Sequence, residues 1–420
     1  MKTCLALIAI LSSTAAAFAE DVAFKPLAGG DGSFNTESNT GEWLRPDLGK
    51  ASDLRPLKTR ISATKESVTG GVAMKIVYEK DSRGVLAFEK GGIDPGTAGI
   101  TFFAKASKPI HFRVCTDARQ DKNKVLDIGT EWKKYDVAWS DLQTTDMWQL
   151  VFQVLDPITE KTTLILDRIG TEAPTFSTAP AIEPKAGPDD TISSKDILYG
   201  AENLAKILAQ LKKKQPFKVA AIGDSISAGA QTSRGTWGVK IEDGVPFRYF
   251  GQLAWVLEQE FAYTGITPVV VGHGGWTTKM LIGVVDAEFL PLVGPGDLAV
   301  LQSGGNDIMN GSTVEQWKTD MKALIAKVRT KTDQILVVDT TVTASGPVLA
   351  QAEGLTRVLK ELVAEEKVAG ADVTRLFTFR GPAFACALLA NDYHPDYMGH
   401  MIIGSMIAPI LTGKQITYPE

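Results

Sequence analysis

The sequence predicts an α/β domain built on a parallel sheet, preceded by an all-β domain. Three observations carry this. After residue 194, short apolar runs alternate with segments of helical periodicity, and such alternation implies a parallel sheet with helices on both faces. Before residue 172, apolar residues recur at a period of two in short runs separated by Gly, Pro and Asp clusters, the pattern of a β-sandwich. Between them, Glu172-Ala173-Pro174-Thr175 leads into Pro180, Pro184 and Pro188 with Ser, Thr and Ala between, which reads as an extended linker. The 420 residues, 44% hydrophobic and 22% charged, suffice for two buried cores.

The first segment reads as a secretory signal. Lys2 supplies the positive start, Cys4 to Leu11 an apolar run, and Ala17-Phe18-Ala19 a small-x-small cleavage site before Glu20. No Leu-x-x-Cys arrangement precedes a cysteine suited to lipidation. The expected division is therefore a signal peptide at 1–19, a β-sandwich at 20–171, a linker at 172–193 and the α/β domain at 194–420, with the protein secreted or periplasmic. No other window is apolar for long enough to cross a bilayer. The formal net charge of -5 disfavours nucleic acid and anionic membrane as partners and is compatible with a neutral substrate such as a sugar. Cys115 and Cys386 remain after the signal, too few for a disulfide framework or a thiolate metal site.

In the β region, Val72, Met74, Ile76 and Tyr78 alternate with other residues. Ile100 to Ala104, His111 to Val114, Tyr135 to Trp139, Trp148 to Val154 and Thr163 to Ile169 are further runs of this kind. Trp43, Trp132, Trp139 and Trp148 can stack on sugar rings, although aromatics also dominate sandwich cores. Asp167 is a candidate ligand for a structural cation. The pieces at 129–135 and 164–169 resemble the later strands of galactose-binding-like, carbohydrate-binding jelly rolls.

In the α/β region, Ser194 is expected to cap a helix with Ile197, Leu198, Ala201, Leu204, Ala205, Leu208 and Leu211 on its apolar side. A strand at Val219 to Ile222 follows. A helix opened by Pro246 carries Phe250, Leu253, Leu257 and Phe261. Pro268 to Val271, Leu298 to Gln302 and Ile335 to Val338 read as strands. Ser312 and Glu315 suggest a capping box ahead of a stripe of Trp317, Met321, Leu324, Ile325 and Val328. Leu355 to Val363 and Met398 to Leu411 complete the expected helices.

The chemistry-bearing residues follow the strands. Gly223-Asp224-Ser225-Ile226-Ser227 lies after the first, Gly272-His273-Gly274-Gly275-Trp276-Thr277-Thr278 after the second, and Gly304-Gly305-Asn306-Asp307 after the third. Asn391-Asp392-Tyr393-His394-Pro395 precedes the last helix. Active sites in such sheets lie at the carboxyl ends of strands. A serine hydroxyl needs a base to take its proton, and histidine can do so near neutral pH. The resulting oxyanion needs preorganised donors, for which the Ser225 and Gly275 N–H groups and the Asn306 amide qualify. Glycine suits the second because a side chain would block close backbone approach. Gly-Asp-Ser-Ile-Ser is not the Gly-x-Ser-x-Gly of an α/β-hydrolase nucleophile elbow.

In these four blocks, residues 217 to 412 resemble the SGNH hydrolases, the GDSL-type esterases. The resemblance implies a flavodoxin-like α/β/α fold, Ser225 as nucleophile, Ser225, Gly275 and Asn306 as oxyanion-hole donors, and His394 as base. That family places its acid three residues before the histidine, where this chain has Asn391. Three arrangements stay open: Asp392 acts through a shifted loop, Asn391 or a backbone carbonyl orients His394 in a dyad, or a carboxylate comes from elsewhere. Asp224, His273, Trp276 and Trp237 are candidate substrate contacts. Four scattered histidines form no metal-ligand pattern, and no cofactor is expected. The implied activity is removal of O-acetyl or similar small acyl groups from a poly- or oligosaccharide. The alternatives are a lipid-directed esterase, such as a lysophospholipase or thioesterase, and a non-catalytic carbohydrate-binding protein.

Overall fold

The computed structural model describes residues 24–26, 43–45, 59–68, 73–81, 85–89, 97–116, 122–143, 149–172, 185–186, 191–230, 245, 248–342, 346–379, 393–395 and 397–418. The expected signal segment, Trp148, Trp237, Cys386, Asn391 and Asp392 lie outside the described residues.

Five parallel strands organise the C-terminal region: Phe217–Gly223, Ile266–Gly272, Leu298–Gln302, Ile335–Val338 and Ala369–Ala371. Numbered along the chain, they lie side by side in the order 2-1-3-4-5. This is the flavodoxin-like order, whose switch point falls between the first and third strands. Leu298–Gln302 and Ile335–Val338 are buried at every residue, as strands covered on both faces must be. Right-handed crossovers put the helix Tyr249–Phe261 on one face and Val314–Val328 and Ala352–Glu366 on the other. The contacts follow that division: Tyr249–Phe261 packs with Tyr397–Ile407, and Val314–Val328 with Ala352–Glu366. Among the described residues, no helix is long and apolar enough to cross a membrane.

Two local expectations need correction. The helix expected from Ser194 is broken. Ser193, not Ser194, caps a short 3-10 turn at Ser194–Asp196 through a capping box with Asp196. Leu198–Tyr199 then pairs antiparallel with Gly370 and Ala371 at the sheet edge. Helix resumes as a 3-10 turn at Ala201–Leu204 and continues as the α-helix Ala205–Lys212. Gly200 turns the chain between them at φ +68°, and a Cβ there would lie 2.7 Å from Val363 Cγ1. In the second case the cap of Val314–Val328 is Thr313, whose Oγ1 accepts from the Gln316 N–H at 3.1 Å; Ser312 is one residue too early. The stripe behind it is fully buried as expected.

The N-terminal region contains two antiparallel sheets. One runs Lys133–Ala138, Gly99–Ala106, Thr162–Glu172, Ala73–Tyr78, Thr59–Thr64, with Phe24–Pro26 paired to Thr162–Glu172. The other runs Trp43–Arg45, Val85–Glu89, Gln149–Val154, Ile110–Thr116, Asn123–Ile128. Phe102 of the first sheet meets Phe152 of the second at 5.3 Å between ring centroids and Phe112 at 6.4 Å. Trp132 lies under the Lys105 ammonium, and Trp139 donates to Thr97 Oγ1 at 2.9 Å. Asp167 is fully buried and accepts from Ser67 Oγ, the Val68 N–H and the Arg168 N–H at 2.7 to 2.8 Å. Protein donors thus surround this carboxylate. Within the expected linker, Lys185–Ala186 pairs with Glu66–Ser67, and Ile192–Ser193 pairs with Thr417–Tyr418.

Candidate active site

The loops that leave the first and third strands open on either side of the switch point. Ser225 follows the strand Phe217–Gly223, and Asn306 sits in the helical turn Gly305–Met309 that follows Leu298–Gln302. His394 arrives from the far end of the chain, and its Nε2 lies 2.9 Å from Ser225 Oγ. Partial burial pushes the imidazole below the usual histidine range, because desolvation disfavours the charged form. A neutral imidazole has a ring nitrogen that can accept a hydroxyl proton, as a general base requires. Thr341 Oγ1 donates to the Tyr393 carbonyl at 2.7 Å, which ties the histidine segment to the end of the strand Ile335–Val338.

The Ser225 loop is braced from below. Asp224 Oδ1 accepts from the Ile226 N–H at 2.8 Å, and the Asp224 N–H donates to Gln302 Oε1 at 3.3 Å. Burial pushes the Asp224 carboxyl up to about 7, with nearby Asp307 adding to the rise. Ser227 Oγ donates to Gln302 Oε1 at 3.0 Å, so its 3.0 Å contact with Tyr249 is donated by the phenol.

The loop after the second strand is held by the third. Asn306 Nδ2 donates to the Trp276 carbonyl at 3.0 Å, which uses one of its two hydrogens. Asp307 accepts from the Thr278 N–H at 3.0 Å and from Thr278 Oγ1 at 3.1 Å. A directional chain then forms from Trp317 Nε1–H to Ser303 Oγ at 3.0 Å, on to Thr278 Oγ1 at 2.6 Å, and ends on the Asp307 carboxylate. All four residues are buried. Gly275 stands at φ +79°, where a side chain would be strained. Neither the Ser225 nor the Gly275 N–H has a hydrogen-bond partner among the described residues.

Ser225, Asn306, His394 and Asp224 share one open depression of about 270 Å3, walled also by Ile226, Gly305, Met309, Thr340, Thr341, Val348 and Tyr393. Gly275 does not line it, nor do His273 and Trp276. Their rings stack at 3.9 Å and 13°, and His273 Nε2 pairs with Glu288 Oε2 at 2.8 Å. His400 is buried on Tyr249, accepts the Tyr249 N–H at 3.2 Å, and is held down to about 3 by burial. His111 pairs with Asp156 far along the chain. Among the described residues, no group of three His, Cys, Asp or Glu side chains can hold a metal ion. Met309, Thr341 and Tyr393 also line the site, and no motif in the sequence marks them. Trp317, apolar by its periodicity, also carries an indole N–H, which needs a partner once buried.

Residues 221–402 match the family model described as GDSL-like Lipase/Acylhydrolase family. No curated protein matches the chain. An acetylxylan esterase from Geobacillus stearothermophilus is 19% identical, over 46% of this chain and 94% of that one, with a TM-score of 0.38. A lipase/acylhydrolase from Enterococcus faecalis is 17% identical, over 48% of this chain and 97% of that one, with a TM-score of 0.38. A two-domain esterase active on acetylated mannans is 18% identical, over 52% of this chain and 56% of that one, with a TM-score of 0.40. On the strength of the family match, residues 221–402 constitute a GDSL-like lipase/acylhydrolase domain.

Proposed function

We propose that the protein is an exported serine esterase that removes acetyl or similarly small acyl groups from a poly- or oligosaccharide. The observation that carries this reading is the 2.9 Å contact between Ser225 Oγ and His394 Nε2 in the depression that also holds Asn306. Ser225 attacks the ester carbonyl while His394 Nε2 takes the hydroxyl proton. The oxyanion is met by the N–H groups of Ser225 and Gly275 and by the second Nδ2 hydrogen of Asn306. His394 then gives that proton to the leaving sugar oxygen, which departs as a hydroxyl. Water, deprotonated by His394, attacks the acyl-serine, releases the acid and restores Ser225. Asp392 is assigned to orient the imidazole, with Asn391 or a backbone carbonyl as the alternative.

The small acyl group is supported by the polar lining of the depression. Thr340, Thr341 and Asn306 in its wall are a poor lining for a long acyl chain. The carbohydrate assignment is supported by the expected export signal, by the net charge of -5 and by the reading of residues 20–171 as a carbohydrate-binding sandwich. The test is acetate release from a panel of acetylated glycans by the wild type and by Ser225→Ala, together with hydrolysis of p-nitrophenyl acetate and octanoate. Acetate release abolished by Ser225→Ala supports the reading. A strong preference for octanoate overturns the acetyl assignment, and equal behaviour of wild type and Ser225→Ala overturns the serine mechanism.

A further inference from the structure

We propose that Tyr393 and Met309 form an apolar lip on which a pyranose ring of the substrate rests while its ester lies over Ser225. This rests on the esterase reading and adds to it the residues that select the leaving group.

Among the described residues, five large hydrophobic side chains are exposed: Val125, Leu155, Met280, Met309 and Tyr393. Only Met309 and Tyr393 line the depression that contains Ser225. They are 38% and 42% exposed, whereas the apolar wall residues Ile226 and Val348 are 6% and 2% exposed. The floor is therefore closed and the apolar surface at its mouth faces solvent. An exposed apolar patch rimmed by polar groups is a common mark of a ligand groove.

Each lip residue is attached to a residue of the reacting centre. Tyr393 directly precedes His394. Met309 stands three residues after Asn306 on the turn Gly305–Met309, and i, i+3 spacing puts both on one helical face. The Tyr393 backbone is held by Thr341 Oγ1 on one side and by the His394 contact with Ser225 on the other. A ring on so constrained a backbone loses little freedom when it binds. Tyrosine presents a flat apolar body with a polar tip, and methionine adapts its shape to an irregular partner. A sugar ring, with apolar C–H faces and a hydroxyl edge, matches that pair. A long acyl chain would need the apolar surface to continue inward, and Thr340, Thr341, Asp224 and Asn306 interrupt it there.

The experiment compares kcat/KM on ethyl acetate, a ring-free ester, with kcat/KM on acetylated xylo- and manno-oligosaccharides, using the full chain. Tyr393→Ala should lower the ratio of glycan to ethyl acetate activity by about tenfold, chiefly through KM on the glycan. Tyr393→Phe should restore the ratio, because stacking does not need the hydroxyl. Met309→Ala should lower the ratio by a smaller factor. An unchanged ratio in Tyr393→Ala overturns the lip and leaves the esterase reading standing; a wild type that cleaves ethyl acetate and neither glycan overturns the lip and the carbohydrate assignment but leaves the serine mechanism. A wild type that cleaves no ester overturns both.

Discussion

The side-chain amide of Asn306 donates to the carbonyl oxygen of Trp276 at 3.0 Å, so the residue assigned to the oxyanion also fixes the loop that carries Gly275. One hydrogen is spent on the scaffold and the other is available for the reaction. Asn306→Ala should therefore lower kcat on p-nitrophenyl acetate by about 100- to 1,000-fold. The lost hydrogen bond should cost only about 1 kcal/mol of stability. Thermal unfolding beside turnover separates the two roles: a large fall in Tm with a small fall in kcat would make Asn306 a scaffold residue alone.

His394 bears on the pH profile. Burial lowers its pKa, and the working form is neutral. Activity should therefore be lost as pH falls and the imidazole is protonated. The acid limb of kcat/KM, which reports the free enzyme, should have its midpoint below about 6.5, the ordinary histidine value. A limb centred above that value would mean that a carboxylate stabilises the imidazolium more than burial penalises it.

Asp224 gives a stability signature of opposite sense to the usual aspartate. Its folded pKa is raised from 3.8 to about 7, so the folded state holds a proton that the unfolded chain has released. Its contribution is then full below pH 4 and is lost as pH rises toward 7. Asp224→Asn keeps an oxygen for the Ile226 N–H and cannot titrate. The Tm of the variant minus that of wild type should be larger at pH 8 than at pH 5. A constant difference would place the Asp224 carboxyl in its ordinary ionised state.

Asp307 is the end point of the chain that begins at Trp317. Asp307→Ala would strand the Thr278 N–H and hydroxyl in a buried setting. Unsatisfied buried groups cost about 1–3 kcal/mol each, so a Tm fall of many degrees is expected. Asp307→Asn keeps one acceptor and should fall less. Equal losses would mean that the charge, not the count of acceptors, holds the loop.

These contrasts show which parts of the molecule were legible in sequence. Leu298–Gln302 and Ile335–Val338 were read to the residue because strands buried on both faces are unbroken apolar runs. Ser225, Asn306 and His394 were legible because each sits in a block whose order along the chain is itself informative. The segment after Ser194 was misread because its apolar spacing is helical, while the pairing of Leu198 and Tyr199 with Gly370 and Ala371 comes from residues far away in the chain. Met309 and Tyr393 gave no signal because their meaning lies in exposure at the mouth of a depression, a tertiary property. Trp317 reads as apolar in any periodicity, although its N–H starts a polar chain.

The acid behind His394 is the point on which sequence left the most open, and it separates into measurable cases. If Asp392 orients the imidazole, Asp392→Ala should lower kcat by about 1,000-fold or more, and Asp392→Asn by a comparable factor through the wrong tautomer. Asn391→Ala should then cost far less. If a backbone carbonyl or Asn391 orients a dyad, Asp392→Ala should cost under about tenfold, and the acid limb of kcat/KM should stay where it is in wild type. The two variables are coupled by charge: a carboxylate partner raises the imidazole pKa and a neutral one does not. Asp392→Ala that lowers both kcat and the midpoint of the limb identifies the acid; Asp392→Ala that moves neither assigns the site to a Ser225–His394 dyad.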